Sequence, residues 1–255
     1  MAGPVQSIER AAAILRLLAG GPRRLGLGEV AASLGLAKGT AHGILRTLQH
    51  VDFVEQDAAT GKYQLGAALL HLGTSYLDVN ELRSRSLNWT DALAARSGEA
   101  VRLGTPLEGR VLVVHHVFRP DDTFQTLDVG SLLPLHASSL GKVLLAYGAA
   151  AVEPCREPGL EAYTRHTLVD PERLGRALAA VREAGWAAEV QEMSMGEAGL
   201  AAPIRGHGGL VVGAVGISGP VERLCDGQGH PRPALVTLIR EAARAISRDL
   251  GAARW

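Results

Sequence analysis

Apolar residues return every three or four positions at the start of the chain, where Ile8, Ala11, Leu15 and Leu18 fall on one helical face. Ser7 stands where it can cap that helix, with Glu9 near the positive end of its dipole. Gly20-Gly21-Pro22 ends it, since neither residue type sustains a helix. The spacing predicts a second helix over 28–34, stopped at Gly35, and a third over 38–50. The period then shortens: Phe53-Val54-Glu55-Gln56 and Tyr63-Gln64-Leu65 read as strands of a hairpin, with 57–62 as its turn. Helical spacing resumes over 66–79. Leu65, Leu69, Leu72 and Tyr76 form a stripe there, widened by Leu70 and Leu77, which predicts a dimer or domain contact. A further helix spans 80–97 with Leu82, Leu87 and Ala94. Beyond Gly98 the texture is mixed: strands are predicted over 101–103, 111–115, 126–129 and 210–217, and helices over 139–148 and 171–184. After Pro231 and Pro233, Leu235, Leu238, Ile239, Ala242, Ala245 and Ile246 keep a helical period to Leu250. The chain therefore reads as α+β, without internal repeats or low-complexity tracts.

The stretch from Leu27 to Leu48 meets the demands of a helix-turn-helix. Two closely crossing helices need a small residue at their contact, which Ala31 supplies. The turn needs a residue that tolerates positive φ, which Gly35 supplies. Val30, Leu34, Leu36, Ala41 and Ile44 stand where apolar contacts tie the pair together. The following hairpin makes the motif a winged one. The second helix is then the reader, with its N-terminal turn aimed at base edges in a major groove. Candidate DNA contacts are Lys38, Thr40, Ala41, His42, Arg46 and Thr47 on that helix and Thr60 and Lys62 on the wing.

Composition narrows the classes. A chain of 255 residues is long enough for two domains, and 47% hydrophobic against 20% charged residues excludes wholesale disorder. Lys+Arg and Asp+Glu number 26 each, so any nucleic-acid face must be local. Over 1–66 seven basic residues (Arg10, Arg16, Arg23, Arg24, Lys38, Arg46, Lys62) face five acidic ones, a mild excess that predicts binding as a dimer on two half-sites. Only Cys155 and Cys225 are present, which excludes a disulfide scaffold or a thiolate zinc cluster. The N-terminus lacks a signal-peptide pattern, and no apolar run is long enough to span a bilayer, so a cytoplasmic protein is expected.

Several blocks carry a family resemblance. Val5-Gln6-Ser7-Ile8-Glu9-Arg10-Ala11, Leu36-Ala37-Lys38-Gly39-Thr40-Ala41-His42, Phe53-Val54 and Tyr63-Gln64-Leu65-Gly66 come first. The run from Leu135 to Ala146, then Ala201-Ala202-Pro203-Ile204 and Val215-Gly216-Ile217-Ser218-Gly219-Pro220, follow in order. Together they resemble the IclR-type transcriptional regulators over nearly the whole chain, and within that family the actinomycete glycerol-operon regulators. The resemblance implies a winged helix-turn-helix over 1–66, a linker helix over 67–80 and a GAF-like effector-binding domain over 81–255. It further implies a homodimer or a tetramer built as a dimer of dimers, a double-stranded DNA operator as partner, and repression of a catabolic operon, relieved or enforced by a small metabolite. Family readers commonly carry Ser at 39 and Arg at 43; glycine stands at both positions here.

Leu133-Pro134-Leu135-His136 reads as an extended approach to a helix that Ser138 or Ser139 caps, and a helix start offers N–H donors to an anion. By resemblance, Leu133, Ser139 and Leu140 line the effector pocket, faced by Glu189, Gly199, Gly216 and Ser218. Glu189 stands where relatives place Asp, and the two glycines where some place cysteine, which predicts a roomier pocket for a polyol, a polyol phosphate or a small carboxylic acid. No cofactor or metal is expected: Gly141-Lys142 lacks the rest of a phosphate loop, Pro220 spoils a nucleophile elbow, and His115 and His116 fall on opposite faces of a strand. An enzyme with an appended DNA-binding module and a ligand-independent DNA-binding scaffold are the competing readings.

Overall fold

A computed structural model describes residues 3–22, 24–121, 125–148 and 159–252, with the backbone alone for 74–79. Cys155, Arg23 and the side chains of Tyr76 and Leu77 lie outside the described residues. Contacts divide the chain between Val79 and Asn80 into two compact units.

The first unit holds α1 (Gln6–Gly20), α2 (Leu27–Ser33), α3 (Lys38–His50), β1 (Val54–Gln56), β2 (Tyr63–Leu65) and α4 (Ala68–Val79). Ile14, Leu18, Leu25, Val30, Leu45, Leu48, Val54 and Tyr63 form its core. Gly35 turns the chain at φ +62°, and Leu36 N–H donates to Ala31 O, which seats α3 against α2. β1 and β2 pair antiparallel, Val54 opposite Leu65, and Leu25 exchanges two backbone bonds with Tyr63 as a third short rung. Two expectations at α1 fail. Ser7 lies inside the helix, Val5 occupies the cap position without a side-chain bond, and Ile8 is 67% exposed. The buried side of α1 is centred on Ile14 and Leu18, because the core lies under the middle and end of the helix.

The second unit is a six-stranded antiparallel sheet, ordered β5-β4-β3-β8-β7-β6, between two layers of helix. Its elements are α5 (Glu81–Ser97), β3 (Ala100–Leu107), β4 (Arg110–Val117), β5 (Leu132–Pro134), α6 (Ser139–Ala146), α7 (Pro171–Ala184), β6 (Ala187–Val190), β7 (Glu197–Arg205), β8 (Val211–Pro220), α8 (Val221–Leu224) and α9 (Pro233–Asp249). α5 is capped by Asn80, whose side chain accepts from Arg83 N–H, and ends at Gly98 in the left-handed region. α5 packs with α9 over the sheet face that carries Gly213, while α6 and α7 cover the face of Val111, Ala187, Ala201 and Ala214. The predicted strand over 126–129 is a loop, with Leu127 exposed and the partner of β4 supplied instead by β5. β6 and β7 were not expected. Helices bury β7 on both faces, so it shows no alternation, and its Ala-Gly-Pro content hides its β character. Pro203 is tolerated because the pairing of β7 with β6 runs only from Ala198 to Ala201.

Candidate functional site

Two surfaces carry candidate function. On α3, Ala41, Leu45 and Leu48 are buried at helical spacing, which turns His42, Arg46 and His50 outward in a second row of the same spacing. Lys38, Gly39, Gly43 and Thr47 are exposed beside that row, and Thr40 is half-buried. The Thr47 hydroxyl donates to Gly43 O, 3.1 Å away. Ala41 must be withdrawn as a DNA contact: it is fully buried and packs the helix into the unit's core. On the wing, Asp57 Oδ1 accepts from both the Thr60 amide and hydroxyl, at 2.8 and 2.7 Å. Lys62 Nζ lies 3.7 Å from Glu29 Oε2, an exposed pair that contributes little and leaves the ammonium available.

The second surface is a cavity in the α6–α7 face of the sheet. Strand register builds it. Glu189 of β6 stands opposite Gly199 of β7, Gly199 opposite Ser218 of β8, and Ser218 opposite Ala100 of β3, so one cross-strand row runs under α6. The next row pairs Gly216 with Arg102. α6 begins over these rows because Ser138 caps it, accepting from Gly141 N–H and donating to Pro134 O. The resulting cavity is lined by Leu133, Ser139, Leu140, Glu189, Gly199, Gly216 and Ser218, together with Arg102, Ser138, Met193 and Ile217. All seven effector-site candidates therefore meet in one place.

Neighbouring groups crowd the space above the two glycines. A methyl group at Gly199 would lie 2.8 Å from Ser139 Oγ and 3.4 Å from Glu189 Oε1, and one at Gly216 would press on Leu200 O. The two glycines are thus absorbed by close approach of the Glu189 and Ser139 side chains and of the neighbouring strand.

The electrostatics are those of a buried acid. Burial pushes the Glu189 carboxyl up to about 7, against backbone donation from Glu192 and Met193 and with the nearby Glu192 charge adding to the rise. Glu192 N–H lies 3.1 Å from Glu189 Oε2. Lys142 is buried beside them, but its Nζ already donates to Glu192 Oε1 and Ala188 O. Arg102 lines the cavity, and it too is engaged: Nε and Nη2 meet Asp128 Oδ2 at 2.6 Å and Nη1 donates to Ser218 Oγ. Among the described residues, no group of three or more His, Cys, Asp or Glu is arranged to hold a metal. Burial raises the Cys225 thiol, which leaves it a poor nucleophile.

Comparison with known proteins decides the family. The model of the IclR helix-turn-helix domain matches residues 7–58, and that of the bacterial transcriptional regulator IclR C-terminal matches 74–248. The chain belongs to the IclR family. The glycerol operon regulatory protein of Streptomyces coelicolor is 58% identical over 255 residues, covering all of both chains. An IclR transcriptional regulator from Alicyclobacillus acidocaldarius superposes with a TM-score of 0.83 at 30% identity, over 98% of this chain and 100% of that one. An IclR homologue from Microbacterium hydrocarbonoxydans, solved with 4-hydroxybenzoate, superposes with a TM-score of 0.78 at 26% identity, over 97% and 100%.

This IclR-family chain is a DNA-binding transcriptional regulator with an effector-binding C-terminal domain, and its relatives are regulators rather than enzymes. No helix among the described residues is long and apolar enough to cross a membrane. Sequence reasoning missed Arg102, Ser138, Met193 and Ile217 in the cavity. Ser138 was legible as a cap but not as a wall, and an arginine inside a run of strand-forming residues was the one available sign of Arg102. It also missed His50, which continues the His42–Arg46 row by one helical turn.

Proposed function

We propose that this regulator represses an operon for the use of glycerol or a related polyol, and that the polyol itself, bound in the cavity over Glu189, weakens its hold on the operator. The observation that carries the reading is the meeting of Glu189, Ser139 and Ser218 in one small cavity whose cations are all spent. Lys142 is neutralised by Glu192 and Arg102 by Asp128, so a phosphate or carboxylate entering beside Glu189 meets no free positive charge among the described residues. A hydroxyl instead donates to the carboxylate or accepts from its protonated form. An uncharged polyol is therefore favoured over a polyol phosphate or a carboxylic acid. The name of the Streptomyces coelicolor relative points to the same substrate class. On the DNA side, Lys38, Thr40, His42, Arg46 and Thr47 are the contacts of α3 in a major groove, and Thr60 and Lys62 those of the wing on the backbone, in a homodimer or a dimer of dimers. α4 serves as the linker helix of the effector response.

The test is a gel-shift titration on DNA flanking the protein's own gene, with glycerol, glycerol phosphate and 4-hydroxybenzoate in turn. Release by glycerol alone is expected, with Glu189→Ala retaining operator affinity and losing the response. Release by glycerol phosphate alone would assign the effector to the charged class, and a Glu189→Ala protein that responds as wild type would remove Glu189 from the site.

A further inference from the structure

The inner cavity has a neighbour on the same sheet face. A polar cleft open to solvent is lined by Ala100, Arg102, His116, Asp128, Glu197 and Ser218, among others. Arg102 and Ser218 line both spaces, so the Arg102–Ser218 hydrogen bond is the partition between them. The partition is held from the cleft side. Asp128 takes the other edge of the guanidinium, and the Asp128 amide donates to His116 Nδ1 at 3.1 Å. That bond makes Nδ1 the acceptor and puts the ring hydrogen on Nε2. Burial and the Arg102 charge keep His116 neutral. Its Nε2 has no protein partner among the described residues and is closed off from solvent.

We propose that the polar cleft is the port of the effector cavity and that Arg102 is its movable gate, admitting a small uncharged hydroxyl-bearing molecule. The entering molecule first occupies the cleft, beside Arg102 and Asp128. A hydroxyl then replaces the guanidinium on Ser218 Oγ, and Arg102 stays on Asp128. The charges available there, Arg102 and Arg119 against Asp128 and Glu197, balance, which suits a neutral visitor better than an ion. Opening costs one hydrogen bond to a neutral hydroxyl while the ion pair persists. The gate therefore lets the cavity exchange its contents without unfolding the sheet. This inference rests on the effector reading above for the identity of the visitor, but not for the motion of the gate.

The test reads the motion without an effector. In the full chain with Cys155 and Cys225 replaced by alanine, Ser139→Cys places one thiol in the inner cavity. Its modification by a small neutral thiosulfonate is timed with and without Arg102→Ala. A rate at least tenfold faster without the arginine is expected, with Ser218→Ala intermediate, since that change removes only the bond across the partition. Should Arg102→Ala fail to fold, Ser218→Ala alone carries the test, with an expected acceleration of severalfold. Equal rates with the partition intact or broken would overturn the gate. As a second arm, glycerol association with Arg102→Ala should be faster. Failure of glycerol to bind either protein would count against the polyol reading and leave the thiol result to decide the gate.

Discussion

Glu189 has traded water for a place under α6, and the exchange sets a pH dependence. Its carboxyl titrates near 7 in the folded chain and at 4.5 in its ordinary state. The folded state therefore holds the proton over a window in which the unfolded chain has lost it, and stability falls as pH rises from about 4.5 to about 7. The integrated loss from this one group is roughly 3 kcal/mol. Urea unfolding at pH 5 and pH 8 should show the decline, and Glu189→Gln should flatten it and be the more stable protein at pH 8. An unchanged slope in the variant would show that Glu189 is solvated. At this scale the sequence was legible where the family resemblance singles a residue out. Glu189 and Ser139 were found that way, by resemblance to a pocket. Arg102 was not, because a lone arginine in a strand is indistinguishable from a surface charge until register puts it opposite Gly216. Deleting side chains at 199 and 216 makes space only if the neighbours stay back, and Glu189 and Ser139 stand close over Gly199.

Glycine shows how elements differ in their demands. A methyl group at Gly43 meets nothing within 4 Å, so Gly43→Ala should raise stability by about 1 kcal/mol through helix propensity alone. One at Gly141 would overlap the Leu135 backbone, where α6 lies against the strand segment that leads into it. Gly141→Ala should lower the unfolding free energy by 2 kcal/mol or more, on the order of an overpacked core. Paired urea melts check both signs. For α3 as a reader, replacing Lys38 and Arg46 together by alanine should weaken operator binding. If both meet phosphates, the salt dependence of log K should become shallower by about 2; an unaltered slope would take α3 off the backbone. Sequence reached the first unit's elements almost residue for residue, with α3 over 38–50 and β2 over 63–65, because each is specified by neighbours within a few turns. It failed at β6, β7 and the 126–129 loop. β7, buried on both faces, carries no alternating signal, β6 is only four residues long, and the pattern over 126–129 finds no partner strand because β5 takes the edge of β4.

For the whole regulator, effector and operator must be coupled through a difference in affinity, since an effector that binds both arrangements equally moves nothing. The coupling is reciprocal. Operator DNA should weaken glycerol binding by the same factor by which glycerol weakens operator binding, and paired titrations with and without DNA measure both sides. Glycerol at a hundred times its Kd should stabilise the full chain by about 2.7 kcal/mol, visible as a thermal shift. A glycerol affinity indifferent to DNA would mean that the effector unit does not report to the reader. The amino-acid sequence by itself determined the winged helix-turn-helix, its reader helix and the α+β character of the second half. Helical period, turn glycines and caps act over short stretches of chain, so the residues that specify them lie side by side on the page. Tertiary structure alone decided which strands share the sheet, which of their residues share a row, and how small the cavity above that row is. Those outcomes depend on register between segments as far apart as Arg102 and Ser218, and on how far buried side chains can approach one another once the helices close over them.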